Sequence, residues 1–446
     1  MKQKHLVVLG LIFIVGIALI TIFQSSKDTT QKTVSHSIKN IKKYSGLKLS
    51  LMVSQSFRVA GRYLAETYRN KTGAIVEITI VPYEELEQRI IANHNSNSSQ
   101  IDVTMFWYVY LGRLAKAGIL LDLTDFIDTN RVEIGPDDFI PVIYEAYSSY
   151  DGKRWGLPFD GDTHTLFYNK SILKRYGLLP PQSWEEYLNI SKLITEKGKN
   201  IGVYGSAIMA QPTPIILLSA FMNRLSSYGG KLLDVNNKPL LSSPEALRAL
   251  KDLMEQSKYA LPTPMETSFQ ISLDAFLTGQ VAMVEQWTDL GVMAEDDSRS
   301  LIQGQWGVLP LPMGEQQSSP ILSLNAGYSL GIPAKSNNKE LAKEFLLYAT
   351  SPATSKQLSL IVGSSGVDPV RFSTINSKEY AQIAPEVSQL QKKYLHHAKA
   401  WPTIPQMPEM MFILTKYIHL SLEGILTPEI ALEKTNQEWG LLLAED

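Results

Sequence analysis

The chain contains no cysteine in its 446 residues, and neither sign of charge dominates, with 42 basic against 44 acidic residues. The first absence excludes disulfides, thiolate metal sites and a cysteine nucleophile. The second leaves nucleic-acid binding without an electrostatic footprint. Enzyme motifs are missing too: there is no His-Glu-x-x-His, no P-loop and no Gly-x-Gly-x-x-Gly after a strand. Gly363-Ser364-Ser365-Gly366 does not have the Gly-x-Ser-x-Gly form of a nucleophile elbow. The seven histidines are scattered, and the adjacent His396-His397 pair lacks a chelating helical spacing and reads as surface. Asp160 and Asp162 form the one acid pair suggestive of glycoside hydrolysis. They stand two apart in one extended segment, however, rather than opposed across a bond. The expectation is a binding protein without catalytic residues, cofactor or metal.

Lys2 and Lys4 precede an apolar run over 6–23. A bilayer span needs about 17–25 residues, whereas a secretory core usually has about 7–15, and no small-x-small cleavage pattern follows here. Segment 1–25 therefore reads as a signal-anchor in preference to a cleaved signal peptide, and 26–45, rich in Ser, Thr, Gln, Lys and Asn, as a flexible tether. The body is expected outside the cytoplasm and anchored to the membrane, because large domains translocate largely regardless of charge.

Beyond the tether, period-2 and period-3.6 patterns alternate. Strands are predicted over 47–53, 75–81 and 101–105, and helices over 59–68 and 83–92, which argues for α/β layers on a mostly parallel sheet. Later helices are predicted over 184–197, 244–258, 273–278, 339–350 and 428–443. Ser183-Trp184-Glu185-Glu186 and Ser243-Pro244-Glu245 supply hydroxyl caps before acids or an N1 proline.

The most informative stretch runs over 155–169, Trp-Gly-Leu-Pro-Phe-Asp-Gly-Asp-Thr-His-Thr-Leu-Phe-Tyr-Asn. Aromatics, two acids, a His and two hydroxyls there suit a polar ligand with an apolar face, such as a carbohydrate. Six further blocks follow the same family order: Tyr68 to Val76 with Lys71-Thr72-Gly73; Ile101-Asp102-Val103 with Leu114 to Leu120; Phe276-Leu277-Thr278-Gly279-Gln280-Val281-Ala282-Met283; Leu309-Pro310-Leu311-Pro312; Ala326-Gly327-Tyr328-Ser329; and Ala342-x-x-Phe345 before Ser351-Pro352. In that order the chain resembles the family 1 extracellular solute-binding proteins, the maltose- and trehalose-binding type of ABC-importer receptor.

The resemblance implies a periplasmic-binding-protein type II fold, two α/β lobes joined by a multi-strand hinge. Crossings are expected near 157–165, 321–326 and 363–368, with one lobe over 46–160 and 322–366 and the other over 161–321 and 367–446. It also implies a monomer that takes a solute, expected to be a di- or oligosaccharide, to importer permease subunits. A ligand sensor for a membrane signalling protein, or a receptor for a polyol, is the alternative.

A sugar site needs flat aromatics for the ring face and carboxylates, amides, hydroxyls or Arg for its edge. Trp287, shortly after Ala282-Met283, and Tyr328 are the expected platforms. Asp162 matches the family acid, with Asp160 and His164 beside it; Gln55 and Ser56 follow the first strand and offer edge contacts. Trp107 and Tyr108 close the 101–105 strand, where an aromatic replaces the acid usual in the family, and Arg371 matches its basic turn position. Trp155, Trp184, Trp306 and Trp439 are expected in the core, with Trp401 at a cleft rim or packed.

Overall fold

The computed structural model describes residues 43–96, 99–314, 319–361 and 366–444. The expected signal-anchor and all but the last residues of the tether lie outside them. Among the described residues, no helix is long and apolar enough to cross a membrane.

Two compact units divide the chain. The smaller contains Glu66–Val76 and the described residues up to Lys48. In it the helix Arg58–Thr72 ends at Gly73, whose φ of 83° is the left-handed conformation that glycine accepts without strain. Gly73 N–H closes the last turn on Arg69 O at 2.8 Å, and Ile75 N–H donates to Leu47 O at 2.8 Å.

The larger unit, Leu49–Ala65 with Glu77–Asp446, carries the two sheets that matter for function. The strands are β1 (Lys48–Ser54), β2 (Ile75–Val81), β3 (Val103–Trp107), β4 (Ser149–Tyr150), β5 (Lys153–Arg154), β6 (Leu157–Asp160), β7 (Thr163–Asn169), β8 (Tyr204–Ala207), β9 (Val281–Trp287), β10 (Trp306–Leu309), β11 (Ser323–Leu324), β12 (Tyr328–Gly331) and β13 (Lys399–Ala400). The first sheet has the order β2-β1-β3-β12-β6, the second β13-β11-β7-β9-β8 with β10 also on β7, and β4-β5 form a hairpin.

The sheets are mixed rather than mostly parallel. β1 and β3 are parallel, as are β8 and β9, but β12 runs antiparallel to both β3 and β6, and β7 antiparallel to β9, β10 and β11. The reason is that the chain passes between sheets and returns, so crossing strands enter against their neighbours. The first crossing is β6 to β7 through Gly161-Asp162, and the second β11 to β12 through Asn325-Ala326-Gly327. β11, which falls within the 322–366 segment expected in the first lobe, pairs in the second sheet. The predicted early elements appear within a few residues of their expected limits, as do the helices Trp184–Gly198, Pro244–Ser257, Lys339–Ala349 and Pro428–Ala444. The hydroxyls of Ser183 and Ser243 cap as expected, accepting from the Glu186 and Ala246 N–H groups.

A buried polar knot stiffens the second sheet. Arg224, on the helix Pro214–Ser227, donates to both oxygens of Glu285 on β9 at 3.0 and 2.8 Å and from Nε to Gln256 at 2.8 Å. Its guanidinium also lies 4.3 Å over the Trp184 ring. Asn223 donates to Glu285 at 2.9 Å. Both partners of the ion pair are buried, so removing one alone strands a charge in low dielectric. Around it Leu166, Ile172, Leu173, Tyr187 and Ile194 are also buried, each aliphatic contributing roughly 1.5–3 kcal/mol by removal from water.

Two expectations follow. Glu285→Ala should cost about 3–5 kcal/mol, seen as a lowered urea midpoint, and the double replacement Arg224→Met with Glu285→Leu should cost clearly less. Gly161→Ala places a Cβ 2.6 Å from the Pro369 carbonyl oxygen, so backbone must shift, and destabilisation of about 1–3 kcal/mol is expected by the same measurement.

Candidate functional site

Strand register gathers the sequence-predicted residues at one edge of each sheet. In the first sheet Tyr328 pairs with Trp107 on one side and Asp160 on the other. In the second, His164 pairs with Trp287 and with Ser323. The crossing segments join these two edges, and a cavity of about 450 Å³, open mouth included, lies against them.

The cavity walls are aromatic. Trp287 and Phe269 face each other with centroids 5.4 Å apart, and Phe57 packs edge-on against Tyr328 at 5.2 Å. Tyr83, Ile215 and Ile216 extend the apolar lining. Trp287 is oriented by its indole N–H, which donates to Asn325 Oδ1 at 3.0 Å. The polar lining comes from Ser56, Asp162 and Asp289. A second cavity of about 710 Å³ shares Tyr83, Ile215 and Tyr328 with the first and adds Trp107 and Tyr110.

Of the predicted residues, Ser56, Asp162, Trp287 and Tyr328 line the first cavity and Trp107 the second. The others are elsewhere. Gln55 is exposed and outside both linings. Tyr108 is buried, stacked on Tyr147 at 4.3 Å, and bridges the sheets by donating to Leu324 O at 2.6 Å and accepting from Trp401 N–H at 2.8 Å. His164 is buried in the polar knot, its Nδ1 2.7 Å from Asn223 Nδ2, and burial depresses its pKa to about 4, so it stays neutral. Arg371 is buried 3.6 Å over the Phe139 ring, donates to the carbonyls of Thr350, Ile134 and Gly135 at two helix ends, and pairs with the Asp138 carboxylate at 3.4 Å. Its pKa falls to about 10 through burial.

Asp160 belongs to the hinge itself. Its Oδ1 accepts from Asp368 N–H at 2.7 Å, and the Asp368 carbonyl accepts from Gly161 N–H at 3.1 Å. The Asp368 carboxylate in turn accepts from the Thr288 hydroxyl at 2.5 Å and from Thr163 N–H at 3.3 Å. Asp289 accepts from Gly366 N–H at 3.1 Å. Carboxylate oxygens of Asp162, Asp289 and Asp368 all lie within 4.8 Å of one another.

Burial first, and then the neighbouring carboxylates, raise Asp160, Asp162 and Asp289 well above the usual carboxylate range. Burial raises Asp368 to about 6. A carboxyl raised on folding holds its proton more tightly in the folded state, so Asp368 lowers stability as pH rises from about 4 through 6.

Sequence reasoning missed Phe57, Tyr83, Phe269 and Asp289. Two had a usable signal: Phe57 adjoins Ser56, and Asp289 stands two residues past Trp287. Tyr83 and Phe269 had none, since each enters from a separate helical turn.

The fold matches solved structures along nearly its whole length. A solute-binding protein of Agrobacterium radiobacter K84 in complex with ribitol superposes with a TM-score of 0.81 at 24% identity, covering 90% of this chain and 100% of that one. Maltose-bound T. maritima MalE3 gives 0.80 at 23% identity, covering 89% and 100%. In sequence, a Sinorhizobium fredii protein named as a probable amino-acid ABC transporter periplasmic-binding protein is 24% identical over 403 residues, 87% of this chain and 88% of its own length. The arabinooligosaccharide-binding protein of Bacillus subtilis is 26% identical over 269 residues, 58% of this chain and 57% of its own. The model of the bacterial extracellular solute-binding protein family matches residues 56–356. The chain is a member of that family.

Proposed function

We propose that the protein is the extracytoplasmic receptor of an ABC importer, holding a carbohydrate between its two sheets and delivering it to permease subunits. The observation that carries the reading is the pairing of Trp287, Phe269, Phe57 and Tyr328 as walls with Asp162, Asp289 and Ser56 as edge groups in one cavity. Flat rings cover the C–H face of a pyranose, and carboxylates accept from its hydroxyls. The second cavity, with Trp107 and Tyr110, continues the same lining and gives room for further sugar units, in line with a di- or oligosaccharide. Relatives named for maltose and arabinooligosaccharide support this class. A polyol is the second reading, favoured by the modest size of the inner cavity and by the ribitol-bound neighbour.

In this account the hinge lets the lobes close on the ligand, which stabilises the closed form only by its differential affinity for it. The N-terminal segment tethers the receptor to the outer face of the membrane, next to its permease. No residue is assigned a catalytic role.

A thermal-shift screen of the full-length chain against mono-, di- and trisaccharides and polyols should return hits from one class, since a ligand of the native state raises the melting temperature by mass action. Trp287→Ala should weaken the best hit by about 30-fold or more, the loss expected of a central aromatic contact; unchanged affinity would remove the reading. Arg371→Lys should lower thermal stability yet leave affinity for that hit within about twofold, because its contacts are to helix-end carbonyls and its removal costs about 1–3 kcal/mol of unmet hydrogen bonding.

A further inference from the structure

The charged groups of the described cavity lining are all of one sign. Two carboxylates, Asp162 and Asp289, reach it, Asp368 lies within 4.8 Å of both, and no Lys, Arg or His belongs to the described lining. The hydrogen bonds that stabilise these acids are spent on the hinge: Thr288 and Thr163 serve Asp368, and Gly366 serves one oxygen of Asp289. The other oxygen, Asp289 Oδ1, is buried beside the Leu290 backbone and has no well-formed hydrogen bond among the described residues, in a side chain only 5% exposed. A buried carboxylate oxygen left without a donor is costly unless something else supplies one.

The walls supply an independent pointer. Phe57, Tyr83, Phe269, Trp287 and Tyr328 surround the same space. Aromatic faces carry negative potential and attract a cation brought within about 6 Å of the ring centre. Acids behind an aromatic enclosure form a receptor for an organic ammonium group rather than for a bare metal ion. A metal of the calcium type asks for six to eight oxygen ligands, and rings supply none.

We propose that the solute is polyhydroxylated and carries a protonated amine, an amino sugar or aminopolyol, with the ammonium group donating to Asp289 Oδ1 and Asp162 inside the aromatic enclosure. This deepens the receptor reading and rests on that cavity being the ligand site. A free amino acid fits less well, because it brings a carboxylate for which the described lining offers no cationic partner. The ammonium charge offsets the repulsion among the three acids, so binding removes a strain that the empty site carries.

The test uses matched pairs, glucosamine with glucose and galactosamine with galactose, titrated calorimetrically into the full-length chain, with calcium chloride alone as a further probe. The amine of a pair should bind at least about tenfold more tightly than its neutral parent, a difference of about 1.4 kcal/mol. Asp289→Asn should erase that preference, lowering the amine's affinity at least about tenfold more than that of its neutral parent. The ligand-free variant should melt no lower than the parent protein, since it loses a like charge. Should Asp289→Asn fail to fold, Asp162→Asn provides the same readout from the other side of the cluster.

Equal affinity within each pair, or tighter binding of the neutral sugar, would overturn the inference and leave the carbohydrate receptor standing. Stabilisation by calcium alone, with no preference for amines, would reassign the acids to a metal and overturn it as well. No binding by either member of either pair would overturn this inference, and failure of the wider sugar and polyol screen would separately remove the receptor reading.

Discussion

Two buried carboxylates hold the crossing segments together, and the rest of the site depends on them. Asp160 accepts from the backbone of 368, and Asp368 accepts from the backbone of 163 and the hydroxyl of Thr288. Each thus ties the first crossing to the segment around Asp368, and Asp368 adds the end of β9. Close approach is possible because Gly161 meets the Pro369 carbonyl and Gly327 meets the Tyr147 ring at separations no side chain would allow. Beside the tied segments, Asp162 and Asp289 line the cavity. The cost is a group of carboxyls in low dielectric: burial raises the pKa of each, and neighbouring acids raise Asp162 and Asp289 further.

The knot around Arg224 and Glu285 does complementary work. It fixes the helix Pro214–Ser227 to β9, and that helix carries Ile215 and Ile216 into the cavity while β9 ends in Trp287. His164, held neutral inside the knot, packs 4.9 Å from Trp287. One cavity wall is therefore set by a buried ion pair, and the hinge beside it by carboxylate-to-backbone bonds. A structure with rigid walls and a charged hinge suits a receptor that closes on its solute by moving few dihedrals.

Much of this was legible in the sequence, and the failures have physical causes. Amphipathic elements with caps, such as the helices after Ser183 and Ser243, announce themselves because one face must be buried and the first N–H groups must be satisfied. The helix Pro214–Ser227 is apolar nearly all round, so it carries no period to read, and its Asn223 and Arg224 look like surface residues until Glu285 is placed beside them. Trp287, Tyr328 and Asp162 were found through a family resemblance that fixes their position along the chain, and Ser56 through its place after the first strand. Arg371, His164 and Tyr108 share that conspicuous chemistry but are consumed by internal partners, and hydrogen bonds spanning 21 to 293 positions in the chain are invisible without the fold.

The absence of cysteine allows the central claim, a two-lobed clamp, to be measured directly. Asp128 and Gln270, both exposed, can be changed to cysteine and labelled as a fluorescent donor–acceptor pair without competing thiols. The account predicts that the sugar giving the largest thermal shift raises energy transfer between the two dyes, with the half-maximal change at the concentration that half-saturates binding. A saturating ligand that leaves the transfer efficiency unchanged would contradict it.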